Sequence, residues 1–180
     1  MDYENITELD LSNQKLNELP DLSKYTNLKK LNCHNNNIVA LDNLPPGLQT
    51  LECGYNNIVA LDNLPSGLQR LYCDDNQITT LDNLPPGLQI LNCYNNNIVA
   101  LDNLPPGLQT LYCSSNKITT LDNLPPGLQT LDCQGNAIAR LDYLPPGLQT
   151  LECNNNRLIY NFEPTLENIR NYNSRLSLKN

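Results

Sequence analysis

From Leu28 to Gly147 the chain repeats itself every twenty residues. LQTLECGYNNI at Leu48, LQRLYCDDNQI at Leu68, LQILNCYNNNI at Leu88, LQTLYCSSNKI at Leu108 and LQTLDCQGNAI at Leu128 are variants of one line. A unit this short cannot bury its own apolar side chains. Units must therefore stack and share one continuous core, with atypical copies at the ends. Any residue recurring in a fixed column must first be explained by the stack. Only then is it a candidate for chemistry.

Within one unit the alternation is that of a strand. Thr110, Tyr112 and Ser114 alternate with Leu111 and Cys113, which predicts one buried face and one open face. One strand per unit, stacked in parallel, would place equivalent residues about 4.8 Å apart. The return arm cannot be a regular helix, because Pro125 and Pro126 remove backbone donors and Gly127 permits a turn. Leu121, Leu124 and Leu128 are expected to point inward and meet Leu111, Cys113 and Ile118.

From Leu28 the units keep the pattern L-x-x-L-x-C-x-x-N-x-I-x-x-L-D-N-L-P-P-G. The pattern resembles the leucine-rich repeat family, whose core reads L-x-x-L-x-L-x-x-N/C-x-L, with cysteine here replacing the third leucine. The twenty-residue length and the L-P-x-x-L joining units resemble the short bacterial-type subclass of secreted enteric effectors. The asparagine-rich, cysteine-laddered version is also similar to repeat proteins of giant amoebal viruses. The resemblance implies a horseshoe solenoid. Its parallel sheet would line the concave face, with extended, polyproline-like or 3-10 arms on the convex side. It implies a single domain over 1–180: a variant repeat at 6–27, seven repeats of the twenty-residue type at 28–165 (the last one short), and a C-terminal capping repeat at 166–180. In that cap Asn171 falls in the cysteine column and Ser174 in the asparagine column.

Three columns resemble chemistry. Cys33, Cys53, Cys73, Cys93, Cys113, Cys133 and Cys153 stand where the family has leucine, so they are read as small hydrophobes facing the core. A linear file offers no tetrahedral metal geometry, and His34, the one histidine, is expected on the outward face. No catalytic residue, metal or cofactor is assigned. Asn36, Asn56, Asn76, Asn96, Asn116, Asn136 and Asn156 are expected to turn inward and satisfy loop backbone groups. Asp42, Asp62, Asp82, Asp102, Asp122 and Asp142 are expected to accept hydrogen bonds in the arm turns. Rows of aspartate oxygens bind hard cations such as calcium, but the spacing of calcium-binding solenoids is missing here.

What remains is the outward strand face, where the columns vary. Tyr72, Ile90, Tyr94 and Tyr112 fall in adjacent units and are expected to form an apolar-aromatic patch, flanked by Arg70, Asp74 and Asp75. Glu52 and Asp132 add to the acidic surround, which would steer a basic partner. Net charge is −8, and no basic stripe is available for nucleic acid or an anionic membrane. No apolar run of about 18 residues is present to span a bilayer. The opening MDYENITELDL lacks the apolar core of a secretory leader, and seven cysteines suit a reducing compartment. A cytoplasmic location is expected, the host cytoplasm for a viral source.

The resemblance implies a non-enzymatic scaffold that binds a protein or peptide on its concave face. Two other roles fit the same pattern. One is the substrate-recognition component of a ubiquitin-ligase effector system. The other is a self-associating structural protein, with a homo-oligomer as its product. Intrinsic ligase activity is not expected, since every cysteine belongs to the ladder.

Overall fold

The computed structural model describes residues 3–177. Its sheet has eight parallel strands in sequence order: β1 (Glu8–Asp10), β2 (Lys30–Asn32), β3 (Thr50–Glu52), β4 (Arg70–Tyr72), β5 (Ile90–Asn92), β6 (Thr110–Tyr112), β7 (Thr130–Asp132) and β8 (Thr150–Glu152). Each strand is three residues long, and the register is that of the sequence repeat. Leu31 pairs with Leu51, Leu51 with Leu71, and Leu71 with Leu91. The ladder runs on beyond the strands. The Cys33 N–H donates to the Glu52 carbonyl at 2.7 Å and the Asn35 N–H to the Gly54 carbonyl at 3.0 Å.

The core lies between this sheet and the arms, and it is built from columns. Leu31, Cys33, Ile38, Leu41 and Leu48 are buried, as are their equivalents through Leu128. Stacking removes each apolar column from water along its length, at about 25 cal/mol per Å². Leu121, Leu124 and Leu128 are all buried, as expected.

Between Leu41 and Leu48 the arm carries two turns and no helix, a layout that recurs down to Leu128. The first turn holds Asn43, Asn63, Asn83, Asn103 and Asn123 at φ between 57° and 61°. Left-handed backbone costs most side chains about 1–2 kcal/mol, and asparagine is among the few that tolerate it. This corrects the expected role of the aspartate column. Among the described residues, Asp42, Asp62, Asp82, Asp102 and Asp122 are exposed and make no side-chain hydrogen bond. The asparagine that follows each of them shapes the turn. Asp142 differs, accepting from Arg140 Nε at 2.7 Å.

A second correction falls at the C-terminal end. The segment from Leu166, expected as a capping repeat, is helix α1 (Leu166–Ser177). Asn171 and Ser174 therefore do not enter the cysteine and asparagine columns. Residues 178–180 of that expected cap lie outside the described residues. Thr165 caps the helix, its Oγ1 accepting the Asn168 N–H at 3.2 Å. Ile169 is fully buried, and Arg170 donates to the carbonyls of Pro146 at 3.0 Å and Leu148 at 2.8 Å. The helix thus closes the last repeat with side chains of its own.

Candidate functional site

The cysteine and asparagine columns belong to the frame. All seven cysteines are buried and unpaired. Burial pushes the Cys33 and Cys93 thiols up to about 12 and raises those of Cys53, Cys73 and Cys113 as well. A thiol so held stays protonated and packs as an apolar group. Asparagines join one repeat to the next. Asn56 accepts the Ile38 N–H at 3.0 Å and donates to the Cys33 carbonyl at 3.0 Å, both in the preceding unit. It also donates to its own unit's Cys53 and Gly54 carbonyls, each at 3.1 Å. The first unit has Gln14 in this column. Its loop is served by Asn36, which accepts the Gln14 and Leu16 N–H groups at 3.1 and 2.9 Å.

On the open face of the sheet, the side chains read from sequence sit where the alternation puts them. Tyr72, Ile90 and Asp74 are half-buried there, Arg70, Tyr94 and Tyr112 are exposed, and Asp75 lies on the rim with φ 51°. The face is locally ordered by its acids. Lys30 pairs with Glu52 at 2.7 Å, which neutralises one of the bases. Asp74 accepts from Asn92 Nδ2 at 3.1 Å, and partial burial with Asp75 beside it raises its carboxyl. Gly54 makes room for this carboxylate, because a Cβ there would meet Asp74 Oδ2 at 2.8 Å. The Tyr55 ring packs against His34 at 5.0 Å, and the Asp75 charge raises its phenol.

Asn92 stands between Tyr72 and Tyr112 in the register, and no ring contact joins Tyr72, Tyr94 and Tyr112 among the described residues. Tyr94 and Tyr112 line a shallow, open hollow of about 560 Å³ together with Ser114, Ser115, Asp132 and Gly135. Asn92, Gln134 and Asn155 complete its lining, which contains no basic side chain. Tyr72, Ile90, Arg70, Asp74 and Asp75 lie outside it. The hollow exists because two columns shrink at this place. Ser114 follows Tyr94 in its column, and Gly135 follows Ser115 on the rim. Asp132 is held in place from three sides. It accepts from Ser114 Oγ at 3.2 Å, from the Gln134 N–H at 3.1 Å and from Gln134 Nε2 at 3.2 Å.

The column geometry is that of a known family. A model for Leucine Rich repeats (2 copies) matches residues 86–126 and again 106–146, and one for a single Leucine Rich Repeat matches 27–51. The repeats are leucine-rich repeats. Among solved leucine-rich repeat structures, YopM from Yersinia enterocolitica superposes with a TM-score of 0.64 at 36% identity, over 80% of this chain and 36% of that one. A Shigella effector leucine-rich repeat domain gives 0.66 at 29% identity, over 87% of this chain and 61% of that one. The functional domain of InlJ from Listeria monocytogenes, which includes a cysteine ladder, gives 0.61 at 27% identity, over 89% and 46%. The chain thus spans 36% to 61% of the length of these solved chains. No curated protein matches it. The viral resemblance rests on sequence alone.

Reading the leucine-rich repeat columns for large side chains singled out Tyr94 and Tyr112 but passed over Ser114, Ser115 and Gly135. Their signal is a loss of bulk next to Tyr94 and Tyr112; Gly54, the other small residue of Ser114's column, has its space taken by Asp74. Small residues in a column that faces outward leave space, and space beside aromatic walls is what a ligand side chain needs.

Proposed function

We propose that this chain is a non-enzymatic recognition scaffold whose open sheet face captures a protein or peptide partner. The supporting observation is the division of labour between columns. Those facing inward are occupied by packing and by the asparagine ladder. The open columns vary, and they present exposed Tyr94 and Tyr112 around a hollow. Aromatic anchors ringed by polar groups are where binding energy tends to concentrate. The acids Asp74, Asp75 and Asp132, none of them ion-paired among the described residues, favour a partner with basic character.

The likeness to a Shigella effector domain supports a second reading, in which the scaffold is the substrate-recognition part of an effector system. Seven unpaired thiols suit a reducing compartment such as the cytoplasm.

Cross-linked affinity capture tests the sheet-face reading. The wild type is compared with a folded Tyr72→Ala/Ile90→Ala/Tyr112→Ala variant in the same lysate. Loss of a specific partner from the variant alone supports the reading. An unchanged partner set moves the site to the arms or the ends. A wild type that captures only itself would make the protein self-associating.

A further inference from the structure

The hollow beside Tyr112 has the chemistry of a receptor for one kind of side chain. We propose that it seats a lysine or arginine side chain from the partner, between the rings of Tyr94 and Tyr112 and against the Asp132 carboxylate. This rests on the sheet-face reading above and names the group that face would recognise.

Four observations lead there. The walls are two tyrosines about 40% exposed, whose ring faces attract cations. Asp132 is the one acid in the lining, and no base is present to neutralise it. An ionised carboxylate offers roughly four acceptor positions. Three are filled by Ser114 and Gln134, which fix its orientation and leave capacity for one further donor. Access is open where Gly135 carries no side chain and Ser115 a short one. An anionic guest would meet the Asp132 charge, and a purely apolar guest would strip water from it without supplying a donor. A cation meets both requirements. With one acceptor position left, a two-pronged guanidinium fork is not available, so lysine and arginine differ mainly in how they stack on the rings.

The test is an amide-resonance titration of the full chain with three probes: N-acetyl-arginine methylamide, N-acetyl-lysine methylamide and N-acetyl-citrulline methylamide. Citrulline keeps the shape of arginine without its charge. The expected result is that both cations move the resonances of Tyr94, Ser115, Asp132 and Gly135, and that citrulline binds about tenfold more weakly. Asp132→Asn should erase that preference while preserving the dispersed spectrum. Ser115→Tyr should block all three probes. That rim position already accepts a tyrosine elsewhere, since Tyr55 adopts φ 53° where Ser115 has 54°. Equal shifts from arginine and citrulline, or cation-induced shifts elsewhere only, would overturn the proposal. Capture with Asp132→Asn separates the two readings. If a partner lost from the triple variant binds Asp132→Asn as tightly as wild type, the sheet face stands and the cation seat falls. If the triple variant also keeps its partner, both fall.

Discussion

The Asn96 side chain donates to the carbonyl of Cys73 at 3.0 Å, across the boundary between two repeats. The same amide reaches the Cys93 and Tyr94 carbonyls at 3.1 Å, and its oxygen accepts the Ile78 N–H at 2.9 Å. Asn96→Ala would leave the Ile78 N–H without its acceptor and take one donor from each of the three carbonyls, which keep Asn76, Asn116 and the Asp75 N–H, so a loss of about 1–3 kcal/mol is expected. Asn92, four residues earlier on the open face, bonds to Asp74 and to the Tyr94 N–H, where water can substitute. Asn92→Ala should cost about 0.5 kcal/mol or less. Urea melts of the two variants decide this, and equal losses would mean that the inward column is not special.

The arm turns give a prediction of opposite sign for two substitutions at one residue. Asn103 sits at φ 58°, in left-handed backbone. Asn103→Gly should be neutral or slightly stabilising, because glycine enters that region freely. Asn103→Val should cost about 1–2 kcal/mol. Tyr143 shows the dependence within the molecule. It replaces asparagine in this column, does not adopt positive φ, and its arm loses the first turn. Thermal melts that rank valine at or above glycine would refute the role given to this column.

How much of this was legible beforehand follows from what repetition can convey. Strand register, the inward leucines and the buried cysteines were readable because each is stated several times, once per unit. The end of the chain is stated once. There the spacing of Leu166, Ile169 and Tyr172 suits a repeat core or a helix face equally well. Thr165, placed to cap a helix, was the deciding signal. The hollow was obscured for a different reason. Side chains draw attention, whereas this site is made by what Ser114 and Gly135 lack. The aspartate row misled because a residue repeated six times suggests a bond, and along most of the arm it makes none.

Asp74 predicts a pH effect. Its carboxyl lies above the usual value, first because it is partly buried and then because Asp75 is close, with His34 acting in the opposite sense. Between the unfolded value and the raised folded value, the native state holds more protons than the unfolded one. Stability therefore falls as pH rises through that window and stays lower above it. Asp74→Asn removes the charge and can keep an acceptor for Asn92. The variant should be more stable than wild type at neutral pH, and the advantage should shrink as the pH falls below the carboxylate range. Melts across a pH series measure this. A variant less stable at neutral pH would mean that the charge stabilises the face.

The thiols supply the last prediction. Cys113 is completely buried, its thiol raised by desolvation first and by the neighbouring Cys93 and Cys133 next. A disulfide reagent needs both access and thiolate, and the native state supplies neither. Labelling of Cys113 at neutral pH should therefore proceed only through unfolding, with rates that follow urea stability. Cys153 should react first. It lies under the cap, its Sγ donating to the Pro164 carbonyl at 3.3 Å, and local opening of α1 would expose it without unfolding the remaining repeats. Cys113→Ser should cost about 1–3 kcal/mol, because it places a hydroxyl in an apolar file. Native-state labelling of Cys113 as fast as a free thiol would show that the ladder is open to solvent and chemically available.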